Sequence, residues 1–221
     1  IPYGLFEYYQ YVARVEIKPN AKVDSSAFAS SSVKYVIIDG NLIGSSVFSY
    51  CNMEELHINS SINVNFSFQG SSAKKVYVGE NVKSFGNLAF FMVNGIQEVI
   101  YEGTIDGWLA MEFSNYADNP ISMSSAKLIV NGQPVTDLVI PDNVTKIGSY
   151  VFEDYLHLTS IVLGKNVVEI ENSAFKNANN VTSITFNNKL TTIGDAAFMG
   201  LNKVAELNLP DSVEVIQSNA F

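Results

Sequence analysis

One cysteine, Cys51, is all the thiol chemistry in the sequence, so no disulfide forms within the chain and cysteine usage carries no sign of compartment. A lone cysteine in this setting reads as a small buried apolar group. Histidine is almost as scarce. Only His57 and His157 occur, about four strands apart in the repeat set out below and so roughly 19 Å from each other, which excludes a shared metal. Thirteen basic residues face 22 acidic ones, for a formal charge of −9, and a surface of that sign has no electrostatic grip on nucleic acid or anionic lipid. No apolar run approaches the roughly 18 residues of a membrane span. The opening Ile1-Pro2-Tyr3-Gly4 lacks an initiator methionine, a basic stretch and an apolar segment, and it enters mid-repeat, as expected of a processed or trimmed chain. Absent too are His-Glu-x-x-His, Cys-x-x-Cys, a phosphate-binding glycine loop and a Gly-x-Ser-x-Gly elbow. The scattered acids lack the spacing of calcium loops. No catalytic residue, cofactor or metal is expected.

What the chain has is repetition. Phe152, Phe175, Phe198 and Phe221 recur every 23 residues, and Phe6, Phe28, Phe48, Phe68 and Phe90 recur at gaps of 22, 20, 20 and 22. After each ring comes apolar-x-x-apolar-x-apolar, as in Leu158, Ile161 and Leu163 after Phe152, or Val33, Val36 and Ile38 after Phe28. The last two positions alternate with period two, which marks a short strand with one buried face. Ahead of the ring a second pair recurs, Val167 and Ile170 before Phe175 being one case. A small residue usually precedes the ring, among them Ala27, Ala89, Ala174, Ala197 and Ala220, which lets successive windings approach closely. A period of about 20 to 29 residues is that of a leucine-rich solenoid, whose windings bury one continuous core. With apolar residues at 47% and charged ones at 16%, the chain has enough apolar surface to fold. One elongated body is expected, its phenylalanine rings stacked inside.

The segments "IPDNVTKIGSYVF", "NNKLTTIGDAAFMGLNKVAELNLP" and "LPDSVEVIQSNAF" resemble the BspA-like leucine-rich repeats of bacterial surface proteins. The likeness is strong over residues 135–221 and looser over 1–101. It implies an α/β-type leucine-rich repeat solenoid with a parallel β-sheet on the concave face and an irregular, turn-rich convex side. It also implies a secreted or cell-surface location and an adhesion role toward extracellular-matrix proteins. Such repeats often carry a cysteine three residues after the aromatic; here Cys51 fills that slot, while Ser31, Tyr155, Ala178 and Leu201 stand at equivalent places.

Between residues 102 and 134 the period fails. Asn131-Gly132, with Leu128, Ile129 and Val130 before it, is the signature of a type I′ hairpin turn. Thr104 stands where it would cap a short helix with Asp106 in the first turn. Trp108 reads as the residue that packs this island onto the coil. The expected organisation is therefore 1–101 with repeats of 20–23 residues, a 102–134 island of short helix and hairpin, and 135–221 with 23-residue repeats, all in one solenoid.

On each strand the residue between the two inward ones faces outward from the concave side. That row is Glu16, Ile37, His57, Tyr77, Ile100, Val139, Val162, Thr185 and Asn208, flanked by Arg14, Tyr35, Glu55, Lys75, Glu98, Asp137, Ser160, Ser183 and Glu206. Nine strands at about 4.8 Å make a sheet roughly 40 Å long, broad enough for a protein or a glycan chain. Tyr35, Ile37, His57, Tyr77, Ile100, Val139 and Val162 are the candidate ligand-binding residues, because apolar groups contiguous in solvent mark an interface; β-branched residues also simply suit strands. Two other functions compete with recognition. One is a structural spacer or stalk presenting a further domain. The other is a hydrolase at Trp108, Asp106 and Glu112, which lacks a nucleophile paired with a base. Oligomeric state is not encoded here.

Overall fold

The computed structural model describes residues 1–122 and 124–221. The strands are β1 (Val12–Ile17), β2 (Val33–Ile38), β3 (Glu55–Ile58), β4 (Lys75–Val78) and β5 (Glu98–Tyr101). A short helix, α1 (Ile105–Leu109), and a 3₁₀ turn (Tyr116–Asp118) follow. Then come β6 (Lys127–Val130), β7 (Gln133–Pro134), β8 (Asp137–Val139), β9 (Lys146–Ile147), β10 (Ser160–Val162), β11 (Glu169–Ile170), β12 (Ser183–Thr185), β13 (Thr192–Ile193) and β14 (Val215–Ile216). β1 to β6 pair side by side in chain order, all parallel, and β7 folds back antiparallel on β6. β8, β10 and β12 form a second parallel sheet, and β9, β11, β13 and β14 a third along one flank. This is the expected leucine-rich repeat solenoid, with parallel strands on one wall and turns on the other.

Period two is obeyed on the concave wall. In β3, Leu56 and Ile58 are buried while Glu55 and His57 are partly open to solvent, and β4 and β5 repeat the pattern with Val76, Val78, Val99 and Tyr101 inside. The hairpin expected at Asn131-Gly132 forms, with φ of 52° and 73° at the two residues, as a type I′ turn requires. β6 has a second use: it pairs with β5 in register Ile100↔Ile129, so the island supplies a rung of the solenoid as well as a hairpin arm. Thr104 sits at the N-cap of α1 as expected, but its side chain makes no capping hydrogen bond.

The phenylalanines stack as two columns. From Phe6 through Phe28, Phe48, Phe68 and Phe90 successive ring centroids lie 5.2, 5.1, 6.2 and 5.3 Å apart. From Phe152 through Phe175, Phe198 and Phe221 they lie 5.8, 5.4 and 5.6 Å apart. Between the columns, Phe113 stacks on Phe85 at 6.1 Å, and Trp108 fills the gap, fully buried with Nε1 donating to the Val151 carbonyl at 3.1 Å.

The turn around each ring has a backbone signature that the sequence does not advertise. Two residues before and two after a ring, the chain is left-handed: Ser26 and Ser30 around Phe28, Ser46 and Tyr50 around Phe48, Ser173 and Asn177 around Phe175. Only Gly4, Gly70 and Gly200 supply glycine at such places. Bracketed by these left-handed residues, the turn aims every second N–H to one side. Ser26, Phe28 and Ser30 accordingly donate to Ser45, Val47 and Ser49 of the next winding at 3.1, 3.0 and 2.8 Å. A left-handed non-glycine residue costs about 1–2 kcal/mol and a hydrogen bond returns about 1 kcal/mol net, so the turn is near balance. The ring buried at its centre tips it toward folding.

Three residues after the ring, the polar groups turn inward. Cys51 is buried, as its composition suggested, with Sγ 2.9 Å from the Phe28 carbonyl; burial pushes its thiol pKa up. Tyr155 occupies the same slot at the seam between the two concave sheets. Its hydroxyl accepts from the Leu128 N–H at 3.1 Å and donates to the Val135 carbonyl at 2.9 Å.

Candidate ligand-binding face

Of the residues picked from spacing, Ile37, His57, Tyr77 and Ile100 stand in one register across β2 to β5. Ile129 comes next on β6, between Ile100 and the hairpin. Val139 and Val162 do not continue that row. They pair with each other and with Thr185 in the separate sheet β8–β10–β12, because the β6–β7 hairpin turns the chain back before β8 begins. The expected nine-stranded wall is thus two walls, and Asn208 lies outside any strand, its neighbours Leu207 and Leu209 remaining exposed. Ile129 was missed although Leu128 and Val130 alternate with it as inward residues; that signal was absorbed by the hairpin reading.

The larger wall carries a half-buried apolar ridge with charges beside it. Tyr77 lies flat on His57, centroids 4.1 Å apart and planes 3° apart. The imidazole Nε2 is 3.3 Å from Glu55 Oε2. Alongside runs Arg14, Tyr35, Glu55, Lys75, Glu98 and Lys127, each facing the next across adjacent strands. Lys75 Nζ reaches Glu98 at 2.9 Å, and that bond raises the lysine pKa. Surface pairs of this kind contribute little stability; they set the charge pattern a partner meets. Tyr35 is 39% exposed and interrupts the charge alternation with an amphipathic ring.

The smaller wall is different. Val139 is 65% exposed, the most open apolar side chain on either wall. Beside it Asp137 accepts from Thr159 Oγ1 and Ser160 Oγ, both at 2.7 Å, and these bonds hold its carboxyl below the usual carboxylate range. The serines and threonine around it make this wall polar. Among the described residues no cluster of three or more His, Cys, Asp or Glu is placed to hold a metal, and no helix is long and apolar enough to cross a membrane. Trp108 is buried and hydrogen-bonded, so it contacts no ligand in this arrangement.

Comparison with known proteins agrees with this architecture. Six copies of the BspA type leucine-rich repeat region match residues 1–118 and 127–221. Curated proteins give no match. Among solved structures, the pneumococcal vaccine antigen PcpA superposes with a TM-score of 0.54 at 18% identity, over 94% of this chain and 61% of that one. The chain therefore spans less than two thirds of that structure. A leucine-rich cell surface protein from Faecalibacterium prausnitzii A2-165 is also similar, with a TM-score of 0.49 at 15% identity, over 99% of this chain and 73% of that one. The repeat match, which spans nearly the whole sequence, places the chain in the BspA-type leucine-rich repeat family.

Proposed function

We propose that the chain is a non-enzymatic recognition module of a secreted or cell-surface bacterial protein, and that it holds a protein partner on the β1–β6 wall. The observation that carries this reading is the continuous row Ile37, His57, Tyr77, Ile100 and Ile129, apolar or aromatic and partly open to solvent, bordered by Tyr35 and alternating charges. Aromatic centres with polar rims are where binding energy concentrates in protein interfaces. A protein is favoured over a glycan because His57 and Tyr77 cover one another's faces. A sugar ring stacks its C–H groups on a free aromatic face, whereas stacked rings present edges and polar atoms. Family membership supports an adhesion-type module, and the description of PcpA as a vaccine antigen is in keeping with a cell-surface setting.

The test is a binding screen against extracellular-matrix proteins and glycans with the wild type and the Tyr35→Ala, Tyr77→Ala double variant. A protein ligand retained by the wild type and lost by the variant, with both folded, is the expected outcome. Equal retention by both would sink the assignment of this wall, and selective capture of glycans would reverse the choice of partner. A second reading, a spacer presenting another domain, draws on the unbroken ring columns; it predicts no ligand in the screen.

A further inference from the structure

In the 23-residue repeats the flank opposite the ring turns is bonded winding to winding, and the series stops at its first member. Glu214 N–H donates to Thr191 O, Thr191 N–H to Val168 O and Val168 N–H to Thr145 O, at 2.9, 2.9 and 2.8 Å. The next donor in the 23-residue series is the Thr145 N–H, and it has no acceptor among the described residues. Three residues on in the donor and two in the acceptor, the series holds: Gly194 N–H donates to Ile170 O, and Gly148 N–H donates to Leu109 O at 2.9 Å. The carbonyl that should meet Thr145 therefore belongs two residues before Leu109, at Gly107. That residue lies inside α1, whose carbonyls point along the helix axis.

Withdrawing the chain into α1 leaves a cleft of about 570 Å³, lined by Thr145, Ala110, Met111 and Val144 among others. Two bonds bridge it, Asn143 Nδ2 to Asp106 Oδ2 at 3.0 Å and the Gly148–Leu109 bond. Four charged side chains line the cleft: Asp106, Glu112, Glu171 and Lys146. Lys146 is paired with Glu171 at 2.6 Å and also feels the Glu112 carboxylate, so one cation faces three carboxylates and the lining keeps a surplus of negative charge. The hydrogen bonds from Thr104 and Asn143 hold the Asp106 carboxyl below its ordinary range, so it is an anion at neutral pH.

We infer that this cleft takes a basic peptide segment, which offers a backbone carbonyl to the Thr145 N–H and an ammonium or guanidinium group to Asp106 and Glu112. An added backbone that completes an interrupted ladder is the general chemistry of strand addition, and the charge surplus selects a cation over an anion. The volume suits a few residues, within the range of small-ligand sites at roughly 300–1,000 Å³. This site is remote in chemistry from the concave wall and does not depend on it.

The probe is an acetylated, amidated hexapeptide alternating arginine and valine, with a glutamate-for-arginine version as control, titrated into isotopically labelled chain. The Thr145 amide resonance is expected to shift and its hydrogen exchange to slow with the basic peptide alone. Glu112→Gln should weaken binding roughly tenfold, the loss of one charge-assisted contact. Ala110→Trp, which fills the cleft without altering charge, should abolish binding, while Tyr35→Ala with Tyr77→Ala should leave it unchanged. A stationary Thr145 amide, with shifts spread over distant acids such as Asp39, Glu80 and Glu102, would overturn the inference. So would undiminished binding by a folded Ala110→Trp variant.

Discussion

Tyr77 and His57 lie face to face on neighbouring strands, 4.1 Å apart and within 3° of parallel, while Val76, one residue along the same strand, is fully buried. Adjacent residues of one strand thus belong to two different environments. Replacing Tyr77 by Ala removes an aromatic contact of about 0.5–1.5 kcal/mol. Val76→Ala opens a hole in a closed core and should cost more, about 2 kcal/mol. Urea denaturation of the two variants checks the contrast; a larger loss at Tyr77 would mean that the ring is structural and not part of a binding wall.

The ring columns predict a steeper effect. Phe175 is fully buried between Phe152 and Phe198, 5.8 and 5.4 Å from each. Phe175→Ala should destabilise by about 3–5 kcal/mol and show in thermal unfolding as a large drop in Tm. A loss below about 1 kcal/mol would show that the column is not what joins successive windings.

Gly70 tests the left-handed turns. Its φ is 65°, and a Cβ there would lie 2.4 Å from Cε1 of the Tyr50 ring. Gly70→Ala should cost about 1–2 kcal/mol from backbone conformation, with the Tyr50 ring displaced in addition. Pairing it with Tyr50→Ala should recover the steric part only, leaving the conformational part to be read from the double variant.

Tyr155 gives a pH dependence. Burial pushes its phenol up to about 12, against about 10 in the unfolded chain. Its folded pKa is the higher one, so its contribution is complete below pH 10 and is lost as pH rises from 10 through 12. Two units correspond to about 2.7 kcal/mol at full effect. Stability measured by denaturant between pH 9 and 11.5 should fall more in the wild type than in Tyr155→Phe. The substitution itself should cost about 1–3 kcal/mol near neutral pH, since Leu128 N–H and Val135 C=O lose their partner. Parallel pH curves for the two proteins would refute this assignment.

Much of this was legible because a repeat announces itself many times over. The rings, the inward pairs such as Leu56 and Ile58, and the Asn131-Gly132 turn each follow from local chemistry. Three things did not. Most of the left-handed positions are held by residues such as Ser26, Tyr50, Phe66, Leu88 and Ala196, whose own preferences do not demand that conformation; hydrogen bonding between windings imposes it. The division of the concave wall depends on β6 pairing with β5 as the last rung before the hairpin turns back, a use of that strand that spacing alone does not carry. The cleft at Thr145 exists only because α1 removes one carbonyl from a series, an absence that becomes visible once the rest of the ladder is in place.

At the ring turns the N–H groups at the ring and two residues to either side point from an earlier winding to a later one, as from Phe152 to Ala174 and from Phe175 to Ala197. A winding laid on upside down would set donor against donor there. Windings therefore stack in one sense only, head to tail. Each winding is complementary to the one before it, so the solenoid can lengthen or shorten by whole windings while its cross-section stays nearly the same.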